Sequence, residues 1–169
     1  MTTSEDRRVR RTQRAIFDAF RTLVMERPYD EIRVGDIIAA AGIGRSTFYE
    51  HYRNKDEVLT DTITWLFEAL ADAAAGHTDE GRLLWVLDHF YEQRHFGRMM
   101  LSGEPLQLLI DRLASLIEER EAASLHARAI AAAQLEIIGC WLAGRVASTR
   151  EEVFAALCAY VAPTLRPGR

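Results

Sequence analysis

The chain has 169 residues, enough for one or two small domains, and its 49% hydrophobic and 27% charged content is that of an ordinary globular protein. Few prolines, no Asn-Gly or Asp-Gly turn pair, and long stretches of Ala, Leu, Glu and Arg predict an all-α fold. No apolar run is long enough to cross a bilayer, and the charged N-terminus is unlike a signal peptide. Cys140 and Cys158 lack metal-ligand spacing, which predicts reduced core cysteines in a cytoplasmic protein.

The net charge of −4 is unevenly distributed along the chain. Residues 1–55 contain eleven Lys/Arg and eight Asp/Glu, a net charge of +3, whereas residues 56–169 contain ten and seventeen, a net charge of −7. A locally basic segment attracts phosphate groups even when the whole protein is acidic. The N-terminal third is therefore a candidate for nucleic-acid binding.

The first predicted helix is long. Apolar residues recur at helical spacing from Ala15 to Leu23, and Arg27-Pro28 ends the pattern, so we expect a helix over about residues 5–26. Its first turns are rich in arginine, which predicts either a contact with phosphates or the minor groove, or a solvated helix turn. The arginines concerned are Arg7, Arg8, Arg10 and Arg11.

Two short helices follow, joined by a tight turn. We expect them over residues 34–41 and 45–52, with Gly42 where the first must stop. Phe48 and Tyr52, four residues apart, give the second helix a face that packs inward, while Ser46 and Glu50 point outward. A short helix that is anchored on one side and polar on the other suits the major groove of DNA, and the pair is typical of a helix-turn-helix.

A longer helix begins after the helix-turn-helix. Asn54 is a predicted N-cap and Glu57 lies three residues on, so the helix starts at Lys55. Lys55 is the single lysine of a chain with twenty arginines. The apolar stripe continues to about Ala75, so this helix is long enough to connect the N-terminal part to the rest of the chain.

These features together resemble the DNA-binding domain of the TetR (tetracycline-repressor) family of transcriptional regulators. The resemblance covers about residues 10–60, including the Pro28–Ile32 turn, Ala41-Gly42-Ile43 and Thr47-Phe48-Tyr49. It implies a helix-turn-helix domain over residues 1–56 and a helical ligand-binding and dimerisation domain over residues 57–169. The family usually has Ser or Thr where Arg33 and Gly44 precede the two short helices; Gly is an acceptable cap and Arg is not.

The resemblance also implies which residues contact DNA. Three residues at the start of the second short helix are expected at base edges, since Arg pairs with guanine and Ser with several bases: Arg45, Ser46 and Thr47. The remaining contacts are expected at phosphates, through Arg33, Tyr49, His51 and Lys55. The target sequence does not follow from these residues.

Helical periodicity continues through the second domain. One helix is marked by Leu83, Leu87, Phe90 and Tyr91, in a domain that begins near Thr78. Segments near residues 96–101, 105–117, 122–143 and 149–161 also carry apolar stripes, and Thr149 with Glu152 forms a capping box. The segment 122–143 is apolar nearly all round, which indicates a helix buried on several sides.

TetR-like proteins hold an inducer in this second domain, and Met with aromatic residues is typical of adaptable apolar pockets. Ordinary core packing explains any one of these residues as well. The predicted ligand-binding residues are Trp85, His89, Phe96, Met99, Met100 and His126.

The last two helices carry more apolar surface than one small domain can hide, and the family dimerises through such a pair. The residues expected at the dimer interface are Ile137, Ile138, Trp141, Leu157 and Tyr160.

The sequence therefore predicts a ligand-responsive transcriptional regulator, a repressor that releases operator DNA when an unidentified small molecule binds, acting as a cytoplasmic homodimer. A di-iron bundle requires two Glu-x-x-His motifs and two further glutamates, and the chain has one such spacing, Glu92–His95, so we expect no metal and no cofactor. No catalytic motif occurs, so we expect no enzyme. The alternatives are an all-α interaction or ligand-binding protein without a DNA role and, with less support, a helical enzyme.

Overall fold

The structure is a computed structural model that describes residues 4–120 and 124–161; for residues 4–5, 124 and 159–161 it describes the backbone alone. Every regular element in these ranges is helical, which confirms the all-α prediction. The helices are α1 (Ser4–Glu26), α2 (Val34–Ala41), α3 (Arg45–His51), α4 (Lys55–Ala74), α5 (Glu80–Glu92), α6 (Arg94–Met100), α7 (Glu104–Glu118), α8 (Ser124–Leu142) and α9 (Arg150–Val161), with a 3-10 turn at Tyr29–Glu31.

The chain divides into two compact units within α4, after Thr62. The sequence placed the boundary earlier, between residues 56 and 57. The first two turns of α4 belong to the first unit because hydrogen bonds hold them there. The Tyr29 hydroxyl donates to Asp56, and the Tyr52 hydroxyl donates to Oδ2 of Asp61 at 2.6 Å.

The turn between α2 and α3 depends on Gly42. Its φ of 64° and ψ of 34° lie in the left-handed region, and its N–H donates to the carbonyl of Ala39 at 3.2 Å while Ile43 N–H donates to Ile38 at 3.3 Å. A Cβ at Gly42 would meet no atom within 4 Å, so backbone strain, not crowding, makes glycine the suitable residue. The predicted helix stop is confirmed.

Side-chain caps start α4 and α9 as predicted. The Asn54 Oδ1 accepts from Glu57 N–H at 2.9 Å, but the Glu57 carboxylate accepts from Arg53 N–H at 2.7 Å instead of reaching back to Asn54. At α9 the capping box is complete. Thr149 Oγ1 accepts from Glu152 N–H at 3.2 Å, and Glu152 Oε2 accepts from Thr149 N–H at 2.8 Å.

In the second unit, α7 and α8 pack on each other along their length, and polar contacts join both of them to α4. Arg120, just after α7, donates to Asp72 at 2.6 Å and to Glu68, and Arg112 on α7 donates to Thr64 Oγ1 at 3.1 Å. The second half of α4 is thus held by side chains from its own unit. None of the described helices is long and apolar enough to span a membrane.

Candidate nucleic-acid interface

α3 is held by one buried side chain and presents polar groups on its other sides. Phe48 is fully buried, and its ring lies 6.1 Å from that of Tyr52, which is also buried. Thr47 and His51 are half-buried at the edges of the helix. The exposed residues are Arg45, Ser46, Tyr49 and Glu50. This is the inward and outward division that the sequence predicted.

Arg45 and Tyr49 form a pair on the exposed side of α3. The Arg45 guanidinium carbon lies 5.8 Å from the centroid of the Tyr49 ring, within the range of a cation–π interaction. Because the two residues are four apart on a helix, the contact also orients the arginine along the surface. A guanidinium held in this way loses less side-chain entropy when it binds a base or phosphate.

Lys55 is placed by the 3-10 turn that precedes α2. Its Nζ donates to the Tyr29 carbonyl at 2.6 Å and lies 4.1 Å from the centroid of the Tyr29 ring. The side chain is half-buried. Since an ammonium has three donors, two remain for other partners. The sequence singled out Lys55 and not Tyr29, because the two are 26 residues apart.

The end of α3 is fastened to α4 by Tyr52. Burial, and then its hydrogen bond and proximity to Asp61, raise the pKa of Tyr52 above its ordinary value. The hydroxyl therefore stays protonated at physiological pH and keeps donating to the carboxylate. This contact fixes α3 relative to the first turns of α4.

Arg33 precedes α2 and is exposed. Its N–H donates to Asp36 Oδ2 at 2.9 Å, so the helix start is satisfied by Asp36 while the guanidinium makes no cap hydrogen bond. The side chain is exposed, and its contact with a phosphate stays a prediction.

The N-terminal arginines lie on helix α1. Four of them are spaced so that they share one exposed face about 10 Å long, and none has an ion-pair partner among the residues that the structure describes. We call this face the α1 arginine ridge: Arg7, Arg10, Arg11 and Arg14. The sequence named the first three and Arg8, which lies beside the ridge, and missed Arg14.

Comparison with known proteins supports the interpretation of the first unit. A sequence profile described as bacterial regulatory proteins, tetR family, matches residues 16–62. A solved TetR transcriptional regulator from Streptococcus agalactiae superimposes with a TM-score of 0.60 at 26% identity, covering 93% of this chain and 97% of that one.

Residues 16–62 match the TetR-type DNA-binding domain, and the chain is similar in fold to a solved TetR regulator.

Two further relatives both carry the name DhaS. The HTH-type dhaKLM operon transcriptional activator DhaS of Lactococcus lactis is 40% identical over 57 residues, which are 34% of this chain and 28% of that protein. The chain therefore matches little more than a quarter of that relative's length. A structure described as the dihydroxyacetone kinase operon activator DhaS has a TM-score of 0.51 at 22% identity, covering 91% of this chain and 96% of that one, a likeness of fold alone.

The residues predicted to line a TetR-type ligand site are not placed together. Trp85 and Met99 are 51% and 41% exposed and His126 is exposed, whereas Met100 is buried and Phe96 half-buried. Exposed side chains cannot line an enclosed pocket within the subunit. The placement of Trp85, Met99 and His126 therefore argues against three of the six predicted lining residues.

Trp85 and His89 do lie together, with a third ring that the sequence did not indicate. Trp85 stacks on His89 with ring centroids 5.6 Å apart, and Trp65 on α4 lies 5.1 Å from Trp85 and 5.3 Å from His89. Trp65 was missed because it belongs to a different helix. The role of these residues in ligand binding stays a prediction.

The residues predicted for a TetR-type dimer interface divide into two groups. Ile138 and Leu157 are fully buried inside the subunit, so they have no surface to offer a partner. Ile137 and Trp141 are half-buried and line a cavity of about 260 Å³ between α8 and α9. The side chain of Tyr160 lies outside the described residues. Among the described side chains this placement leaves Ile137 and Trp141 as candidates, and Tyr160 stays an untested prediction.

Proposed function

We propose that the protein is a DNA-binding transcriptional regulator that acts as a homodimer in the cytoplasm and whose affinity for DNA changes when a small molecule binds the second unit. The observation that carries the proposal is α3, a short helix whose one buried side chain is Phe48, with polar residues exposed in the basic part of the chain. One such helix makes too few base contacts for useful specificity, so a symmetric dimer reading two half-sites is needed.

The experiment is a gel shift with DNA flanking the protein's own gene, set beside random DNA of equal length. We expect the flanking DNA to bind about a thousandfold more tightly at physiological salt. Equal, weak binding to both would contradict sequence-specific regulation, and an absence of binding would favour the all-α interaction protein. A reporter gene behind that DNA then distinguishes repression, which we propose, from activation, which is the role stated in the name of the relative DhaS.

Lys55 is proposed to bind a phosphate. Lys55→Met removes the charge but keeps an unbranched side chain over the Tyr29 ring. We expect it to weaken binding to operator and random DNA equally and to lower the slope of log affinity against log salt by about 0.9.

A matched control for Lys55 is Arg98→Met on α6, an exposed residue of the second unit, for which we expect no change of slope. An unchanged slope in Lys55→Met would exclude the phosphate contact. A loss of operator binding with random-DNA binding unaltered would assign Lys55 to base recognition instead.

The α1 arginine ridge is proposed to add phosphate contacts. Replacing all four arginines with glutamine should lower the salt slope by about one for each arginine that meets a phosphate. The control removes the same charge from the second unit, at Arg82, Arg94, Arg98 and Arg145. Equal losses in both variants would show a general effect of net charge, and the ridge would then be a solvated helix face.

A ligand is proposed to act through α4. This helix begins with Lys55 in the first unit and continues into the second. There it accepts hydrogen bonds from Arg112 of α7, from Arg120 just after α7, and from Gln134 of α8. A molecule that displaces α7 or α8 therefore also biases α4. The two reading helices of a dimer must stay ~34–36 Å apart to engage two successive major grooves, so a tilt of α4 lowers the affinity for DNA. The decrease cannot exceed the difference between the ligand's affinities for the tilted and the DNA-binding states.

A further inference from the structure

A single polar side chain lies in the described core. Gln134, in the middle of α8, has no exposed surface, and it is the one buried polar or charged residue among those that the structure describes. Its Nε2 donates to the backbone carbonyl of Leu70 on α4 at 3.1 Å. The residue therefore joins α8 to the helix that continues into the DNA-binding unit.

The orientation of the Gln134 amide follows from that contact. A carbonyl oxygen only accepts, so the amide nitrogen must face Leu70 and Oε1 must point elsewhere. No described residue donates to Oε1. Because an unsatisfied buried acceptor destabilises a folded protein, whereas Leu or Met would fill the same space without that cost, a glutamine here is unfavourable unless another molecule supplies the donor.

We propose that Gln134 Oε1 accepts a hydrogen bond from the small-molecule effector, and that the effector is a neutral, largely apolar compound with an O–H or N–H donor, such as an alcohol, a phenol or an amide. This inference rests on the proposed ligand response and gives it a site and a chemical class.

The absence of charge in the described core determines the class. No charged side chain there is fully buried, and the part-buried Glu68 and Asp72 beside Leu70 on α4 are already paired with Arg120. An ionic effector would therefore find no free counter-charge and would bear a large desolvation cost. The buried positions near Gln134 along α8, and near Leu70 along α4, are apolar and several are small. They include Ala71 and Ala74 of α4 and Ala131, Leu135 and Ile138 of α8.

The position of Gln134 also explains how binding would be transmitted. The Gln134 amide would bind the ligand through Oε1 and the Leu70 carbonyl through Nε2. The fit of the ligand therefore depends on the distance between α8 and α4. It would favour whichever arrangement of the two helices accommodates both contacts. The effect on DNA affinity therefore requires no direct contact between ligand and DNA.

The test uses Gln134→Leu and Gln134→Met, with Gln107→Leu, an exposed glutamine on α7, as the control. The probes are two matched pairs, benzyl alcohol with toluene and cyclohexanol with cyclohexane. The midpoint of thermal unfolding and the affinity for labelled DNA are measured with each probe. For the wild type and Gln107→Leu, we expect each alcohol to raise the midpoint by about 3 °C more than its hydrocarbon and to weaken DNA binding several-fold.

In both Gln134 variants we expect the alcohol and its hydrocarbon to act alike. Without probes, we expect Gln134→Leu to unfold at the wild-type temperature or up to about 4 °C higher, because the unsatisfied oxygen is gone. The proposal would be overturned if both Gln134 variants unfolded at a lower temperature than the wild type and the alcohols and hydrocarbons still acted alike. That result would show that Oε1 already accepts a hydrogen bond in the protein alone.

Equal responses to alcohol and hydrocarbon in the wild type would also overturn it. If the alcohols bind through Gln134 without changing DNA affinity, the site is supported and the effector role is refuted. A wild-type protein that binds no DNA in the gel shift refutes the proposed function independently of these results.

Discussion

Ile137→Glu is expected to convert the proposed homodimer into monomers and to lower operator affinity by at least about a hundredfold. Ile137 is half-buried on α8 and lines the cavity between α8 and α9 together with Cys140, Val146 and Ala156. If a second copy covers this apolar face, the new carboxylate is buried without a counter-charge, which costs several kcal/mol. A monomer then reads a single half-site and loses most of its affinity.

Trp85→Glu is the matched control for Ile137→Glu, since it places the same charge on another apolar surface of the second unit, where Trp85 is half exposed. Sedimentation at micromolar concentration and operator titration are measured for both variants. We expect Trp85→Glu to remain dimeric. A wild-type protein that sediments as a monomer, or an Ile137→Glu dimer with full affinity, would contradict the assigned interface.

Phe48→Ala is expected to destabilise the first unit by about 3–5 kcal/mol and to abolish operator binding. Phe48 is the one buried residue of α3. The centroid of its ring lies 5.5 Å from that of Tyr49 and 6.1 Å from that of Tyr52. Its truncation leaves a cavity at the point that fixes α3 to the rest of the unit. The measurement is chemical denaturation followed by circular dichroism, with operator binding at a temperature where the wild type is folded.

Tyr49→Ala controls for the loss of an aromatic ring on the same helix. Because Tyr49 is about half exposed, we expect a change in the free energy of unfolding within about 0.5 kcal/mol. If Phe48→Ala costs no more than Tyr49→Ala, Phe48 is not the main anchor of the reading helix, and other contacts, such as the hydrogen bond of Tyr52 to Asp61, hold α3.

The sequence alone determined the features that depend on neighbours within a few residues. The stop at Gly42 follows from one residue's backbone freedom, and the start of α9 follows from the Thr149–Glu152 capping box. The inward position of Phe48 follows from helical spacing beside Tyr52. The sequence predicts such features because both interacting residues lie within about one turn of the same helix.

Only the tertiary structure decided which partner each apolar or polar group meets. Ile137 and Ile138 are adjacent and equally hydrophobic, yet Ile138 is fully buried within the subunit whereas Ile137 is only half-buried. Lys55 depends on Tyr29, 26 residues earlier, and Gln134 depends on Leu70, 64 residues earlier. Periodicity shows that a face is apolar, but the packing of distant helices determines whether that face lies in the core, at the surface or beside a buried amide.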